Sequence, residues 1–218
     1  MKFRINPSVI FSAITLGAVF LQVGCASTGN QRSANTNNTM KAVEQDYIDA
    51  LAQVDITDGS LQSLIDQGQP NEKKAFDKYS DNVNRMENMG KRLFERADQM
   101  SAQQRNYFDE WRMQGNTYTD DRIQALSEQR RADLSEYFAN ISVASVGVRG
   151  SLKSYMSDIR QIRTYLSNDL TPKGVGELTP TVQKAIADGS SLKDAVSPVL
   201  AAIGSARNEL SQGGNQAN

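Results

Sequence analysis

Residues 71–115 read NEKKAFDKYSDNVNRMENMGKRLFERADQMSAQQRNYFDEWRMQG. One set of positions is Phe76, Val83, Gly90, Ala97, Gln104 and Trp111; the other is Tyr79, Met86, Leu93, Met100 and Tyr107. Steps of three and four alternate between the sets for about five heptads, which is the period of a long packed helix. Asn71 is placed to cap its start, and Gly115-Asn116 ends it. At 1.5 Å per residue such a helix is about 60 Å long. Met89, Phe94 and Phe108 broaden the apolar stripe beyond a two-stranded seam, so it calls for more than one neighbour.

The next helix is expected from a cap at Thr117 or Thr119, with Asp120 and Asp121 in its first turn, to about Ser167. Its lower half is regular, with Phe138, Ile141, Ser145, Val148, Leu152, Tyr155, Ile159, Ile162 and Leu166. Above it, Ile123, Leu126, Arg130 and Leu134 join with steps of four, a stutter-like slip. A short connection between two long helices implies an antiparallel hairpin. Folding about residues 115–118 sets Trp111 near Asp121 and Arg122, Gln104 near Arg130, Met100 opposite Ala132, and Gly90 near Ser142 to Ser145. The Gln104–Arg130 layer reads as a register device. The zone at Gly90 reads as close backbone approach or, alternatively, as a small ligand cavity.

Shorter helices flank the hairpin. Met40, Val43, Tyr47, Ala50 and Val54 predict one over about Thr39–Ile56. Thr57-Asp58-Gly59-Ser60 then signals a turn, followed by one or two helical turns through Leu61, Leu64 and Ile65, ending near Gly68-Gln69-Pro70. After a break over Asn168–Gly174, Thr179 and Pro180 open a short helix ending near Gly189. A last helix is expected over Ser191–Leu210, kinked at Pro198. The expected fold is all-α: a long, coiled-coil-like antiparallel hairpin with shorter helices packed as an elongated bundle.

The N-terminus carries a different message. Lys2 and Arg4 precede an apolar run from Val9 to Val23, about 15 residues long, the length of a signal-peptide core and short of a membrane span. Leu21-Gln22-Val23-Gly24-Cys25 resembles the lipobox of bacterial lipoproteins, with Gln22 where that pattern has an aliphatic residue. The resemblance implies lipidation of Cys25, the single cysteine, after removal of residues 1–24. The membrane partner would then be held through acyl chains on Cys25. Ala26 and Ser27 follow, with no Asp just after the cysteine, which points to the outer rather than the inner membrane. The polar run of residues 25–38 reads as a flexible tether, residues 39–210 as the bundle domain and residues 211–218 as a disordered tail.

Composition narrows the chemistry. Taking Lys2 and Arg4 from 24 basic residues leaves 22 against 25 acidic ones, a net charge of −3, which is no footprint for nucleic acid. The chain has no histidine, the commonest metal ligand and general base. Asp109-Glu110 and Asp120-Asp121 are adjacent on helices and diverge by about 100°, a poor geometry for acid/base work. Gly174-Val175-Gly176 lacks the third glycine of a dinucleotide fingerprint. The expectation is therefore no catalytic residue, no cofactor and no metal. Phe94, Phe108, Trp111 and Tyr118 are the candidate interaction surface, for an envelope protein partner or a second copy.

Phe108-Asp109-Glu110-Trp111, Asp121-Arg122-Ile123, Ser127, Arg130-Arg131 and Tyr165-Leu166-Ser167-Asn168-Asp169-Leu170 together resemble stretches of a bacterial family, domain of unknown function 2959. The similarity runs over about Phe76 to Leu178. It implies an exported or lipid-anchored protein of long helices and supplies no activity. The function expected from all this is structural or adaptor-like, with a binding module for a small or lipidic molecule as the alternative.

Overall fold

The computed structural model describes residues 28–66 and 71–212. The leader, Cys25, Gly68-Gln69-Pro70 and residues 213–218 of the tail lie outside these. Among the described residues there are helices and no strand: α1 (Gly29–Ile65), α2 (Glu72–Gly115), α3 (Asp121–Asn168), α4 (Pro172–Glu177) and α5 (Thr179–Gln212). The all-α elongated bundle is what the sequence predicts.

α1 begins ten residues earlier than the apolar period suggests, so residues 29–38 are helix and not tether. Thr28 and Gln31 form a capping box, the Gln31 amide N–H donating to Thr28 Oγ1 and the Thr28 amide to Gln31 Oε1. This first stretch is held by polar groups rather than an apolar stripe. Arg32 Nη2 donates to Gln114 Oε1 of α2 at 2.7 Å, and Arg207 Nε of α5 donates to Asn37 Oδ1 at 3.1 Å. The turn expected at residues 57–60 is also absent. The Thr57 and Ser60 hydroxyls donate back to the carbonyls of Gln53 and Thr57, and the helix runs on because Val54, Thr57, Leu61 and Leu64 share its buried face.

α2 and α3 start and stop close to expectation. The Asn71 side chain caps α2 by accepting from the Lys74 amide. Asp120, not Thr117 or Thr119, caps α3 through the amides of Arg122 and Ile123. The break after Leu166 contains a six-residue helix, α4, opened by Thr171 and Pro172. The two helices expected beyond it are one: α5 continues through Gly189 and Pro198 to Gln212, two residues into the expected tail.

The four long helices form a ring in which each packs antiparallel to its neighbours, in the order α1, α2, α3, α5 and back to α1. Cross-helix pairs record the direction: Asp46 with Arg96, Glu87 with Arg160, Asp158 with Lys184, and Glu44 with Arg207. The most extensive contacts are α3 with α5 and α1 with α2, while the α2–α3 contact is lesser. The start of α1, the α2–α3 connection and the end of α5 therefore share one end of the bundle, the near end. α4 and the α1–α2 connection mark the far end.

The α2–α3 register differs from the one expected. Trp111 meets Ser127, Gly90 meets Leu152 and Met156, and Asp98 pairs with Arg149. Ala132 shares a surface pocket with Phe108 and Arg112, about two turns of α2 beyond its expected opposite, Met100. The Gln104–Arg130 layer does not form, because Arg130 bonds to the Glu209 carboxylate and carbonyl of α5. Folding symmetrically about the loop assumes contact right up to it. Here Ile123 and Leu126 in the first turns of α3 are exposed, and α3 engages α2 only beyond them.

Candidate functional site

At the near end residues of the four long helices line a cavity of about 490 Å³. Arg32 of α1, Tyr107 and Trp111 of α2, Leu134 of α3 and Leu210 of α5 line it, with Tyr118 of the connection at its edge. Its charged walls are already engaged. Besides its bond to Gln114, Arg32 lies 3.6 Å from the Glu110 carboxylate, and Arg130 is held by Glu209. The lining is therefore electrically balanced and aromatic, suited to an uncharged or amphipathic guest rather than a free anion. Burial raises the Tyr107 phenol, although the charges of Arg130 and Arg32 oppose the shift.

The four aromatic residues singled out from sequence do not share one exposed surface. Phe108 packs edge-on against Tyr107 and Phe138, with ring centroids 5.4 and 5.2 Å apart. Trp111 stacks edge-on with Tyr107 and donates from Nε1 to Ser127 Oγ at 2.9 Å. Phe94 lies under the Arg149 guanidinium, 4.6 Å from its ring centre. These three are half-buried against their own chain, and only Tyr118 is exposed. The broad stripe of α2 wraps over its two neighbours and is used internally.

Toward the far end sits a constellation that the sequence concealed. Tyr155, fully buried, donates to Asp58 Oδ1 at 2.8 Å. Tyr79, also fully buried, donates to the Ile159 carbonyl at 2.6 Å. Burial pushes the Asp58 carboxyl up to about 6, although the Tyr155 hydrogen bond and the Lys193 charge pull it down; the nearby Asp55 adds to the rise. Burial raises both phenols far above their usual range, so they remain donors. Gly189 makes room for this group: a Cβ there would stand 2.7 Å from Asp58 Oδ2 and 3.2 Å from Tyr155. Asp58 reads in sequence as part of a turn and Gly189 as a helix stop. The available signal was that each falls in phase with the apolar residues around it, Val54 with Leu61 and Ala185 with Leu192.

Among the described residues, no group of three or more His, Cys, Asp or Glu side chains is placed to hold a metal ion. Nor is any described helix long and apolar enough to cross a membrane. Gly174 and Gly176 lie within α4. Cys25 stands three positions before Thr28, the capping residue of α1.

No family model matches the chain, and no curated protein or solved structure matches it.

Proposed function

We propose that this chain is a lipid-anchored protein of the bacterial envelope, exported by residues 1–24 and held through acyl chains on Cys25. Its role in this reading is structural or adaptor-like, with no catalytic chemistry of its own. The absence of Asp just after the cysteine favours the outer membrane and its periplasmic face. The resemblance to domain of unknown function 2959 belongs to the same proposal and contributes export and long helices, not an activity. The observation that carries the adaptor reading is an open patch midway along α3. Val143 and Val146, one turn apart, are 73 % and 79 % exposed, and beside them a Cβ on Gly147 or Gly150 would touch nothing within 4 Å. A photo-crosslinking residue at Val143, in intact cells expressing the anchored protein, is expected to give one discrete crosslinked species with an envelope protein or a second copy. Diffuse or absent crosslinking rejects the adaptor reading.

The near-end cavity favours a second reading, a module holding a small amphipathic or lipidic molecule between its helices. Native mass spectrometry of the purified protein tests it. A retained mass that disappears in Leu134→Trp, which fills the cavity, supports the module; an unliganded wild-type protein removes it.

A further inference from the structure

The near end of the bundle has an exposed apolar surface that meets the cavity only at Tyr118 and is separate from the α3 patch. Leu126, Met113 and Ile123 are 72 %, 62 % and 51 % exposed, and Tyr118 between them is exposed as well. They come from the last turn of α2, the connection and the first two turns of α3, so they cluster at one extremity. Arg112 and Arg122 extend into solvent beside them, while Asp109 and Asp120 pair with those two arginines. An apolar cap with a tyrosine and balanced charge suits the boundary of a bilayer better than a charged partner.

We infer that this end rests on a lipid surface, with Met113, Tyr118, Ile123 and Leu126 entering the interfacial layer beside the anchor. The inference rests on the reading of Cys25 as the lipidated residue and adds to it. Three peptide units separate Cys25 from Thr28, so the two Cα atoms are at most about 11 Å apart. Thr28 lies at the same end as the apolar cap, because Arg32 one turn along α1 bonds to Gln114 at the end of α2. An anchor that close makes a weak secondary contact intramolecular, with a high effective concentration of lipid at the cap. The patch at Val143 and Val146 is 17 residues further along α3 than Leu126, about 25 Å up the bundle, and stays clear of the bilayer.

Trp111 is the single tryptophan and lies at this end, so it is the reporter. The full lipidated chain is placed in phosphatidylethanolamine–phosphatidylglycerol vesicles containing lipid brominated high on the acyl chain. Trp111 emission is expected to be quenched, and the paired change I123E/L126E to lose most of that quenching while the protein still floats with the vesicles. V143E should be quenched like the wild type. Protein that floats but is not quenched, or a double variant quenched as strongly as the wild type, overturns the lipid contact and leaves the anchor intact. A double variant that lowers the solution mass by light scattering without altering quenching overturns it in favour of a second copy on the cap. Absence of labelled palmitate in the wild type, unchanged in Cys25→Ser, overturns the anchor itself and this inference with it.

Discussion

The far half of the bundle, around Tyr79 and Tyr155, and the near half, around Tyr107 and Trp111, share the same four helices and differ in how they are closed. In the far half two phenols are fully enclosed and each is bonded across helices, and a glycine lets α5 approach α1 and α3. In the near half the aromatic rings stack around a cavity, and the first turns of α3 turn apolar side chains outward. Dense packing makes every methylene count in the first case. In the second, Tyr107, Phe108 and Trp111 are already partly in contact with solvent and less is lost by trimming them. The buried core runs the length of the bundle, so the difference lies in the aromatic groups: the far pair is sealed inside that core, and the near set borders space open to solvent.

The largest expected contrast is between truncated aromatics. Tyr155→Ala should lower unfolding stability by about 4 kcal/mol, and Phe108→Ala, which is half-buried, by about 1–2 kcal/mol, in urea titrations followed by circular dichroism. Equal losses would break the distinction between the halves. Next is the charge on Asp58. Its folded carboxyl titrates at about 6, above the unfolded value of 3.8, so folding favours the protonated form. Its contribution is fully present below about pH 4 and is lost as pH rises through about 6. At about 1.4 kcal/mol per pKa unit the full shift corresponds to about 3 kcal/mol, and solvent screening of the half-buried carboxylate reduces it, so Asp58→Asn should stabilise the protein by about 2 kcal/mol at pH 7.5 and by almost nothing at pH 4. A difference that does not change between those two pH values refutes the assignment.

Smaller effects sharpen the same contrast. Gly189→Ala places a methyl against Asp58 and Val54, and the crowding outweighs the helix propensity gained, for a net loss of about 1 kcal/mol. The identical change at Gly150, where a Cβ meets nothing, should gain about 1 kcal/mol. Opposite signs in thermal melts are the expected result. In the near half, Gln104 is buried with no partner for Nε2. Gln104→Met should raise stability by about 1 kcal/mol by removing that unpaired donor, as read from the urea midpoint.

Helix identity was legible wherever an apolar period ran unbroken, as in α2 from Tyr79 to Tyr107 and α3 from Phe138 to Leu166. It was hidden where polar groups do the packing. Residues 29–38 carry almost no apolar period, and their helix depends on a capping box and on bonds to Gln114 and Arg207, partners distant in sequence. Turn residues misled for a related reason. Thr57 and Ser60 favour turns by bonding to nearby backbone, and here the same bonds are made within the helix. The register of α2 on α3 could not come from their two patterns alone, because α5 competes for α3 and takes Arg130. The cavity and the Asp58–Tyr155 pair are products of that four-way packing, so neither is encoded in a local motif.

The shared placement of the start of α1 and the end of α5 has a mechanical consequence. α1 and α5 are antiparallel neighbours, so tension applied between the two chain ends would load their contact one turn at a time. Such peeling gives way at low force, whereas sliding the helices past each other would strain many contacts at once. A body of this topology transmits little pull through its own termini. A load that the body bears well must enter through the flank of the bundle or its far end.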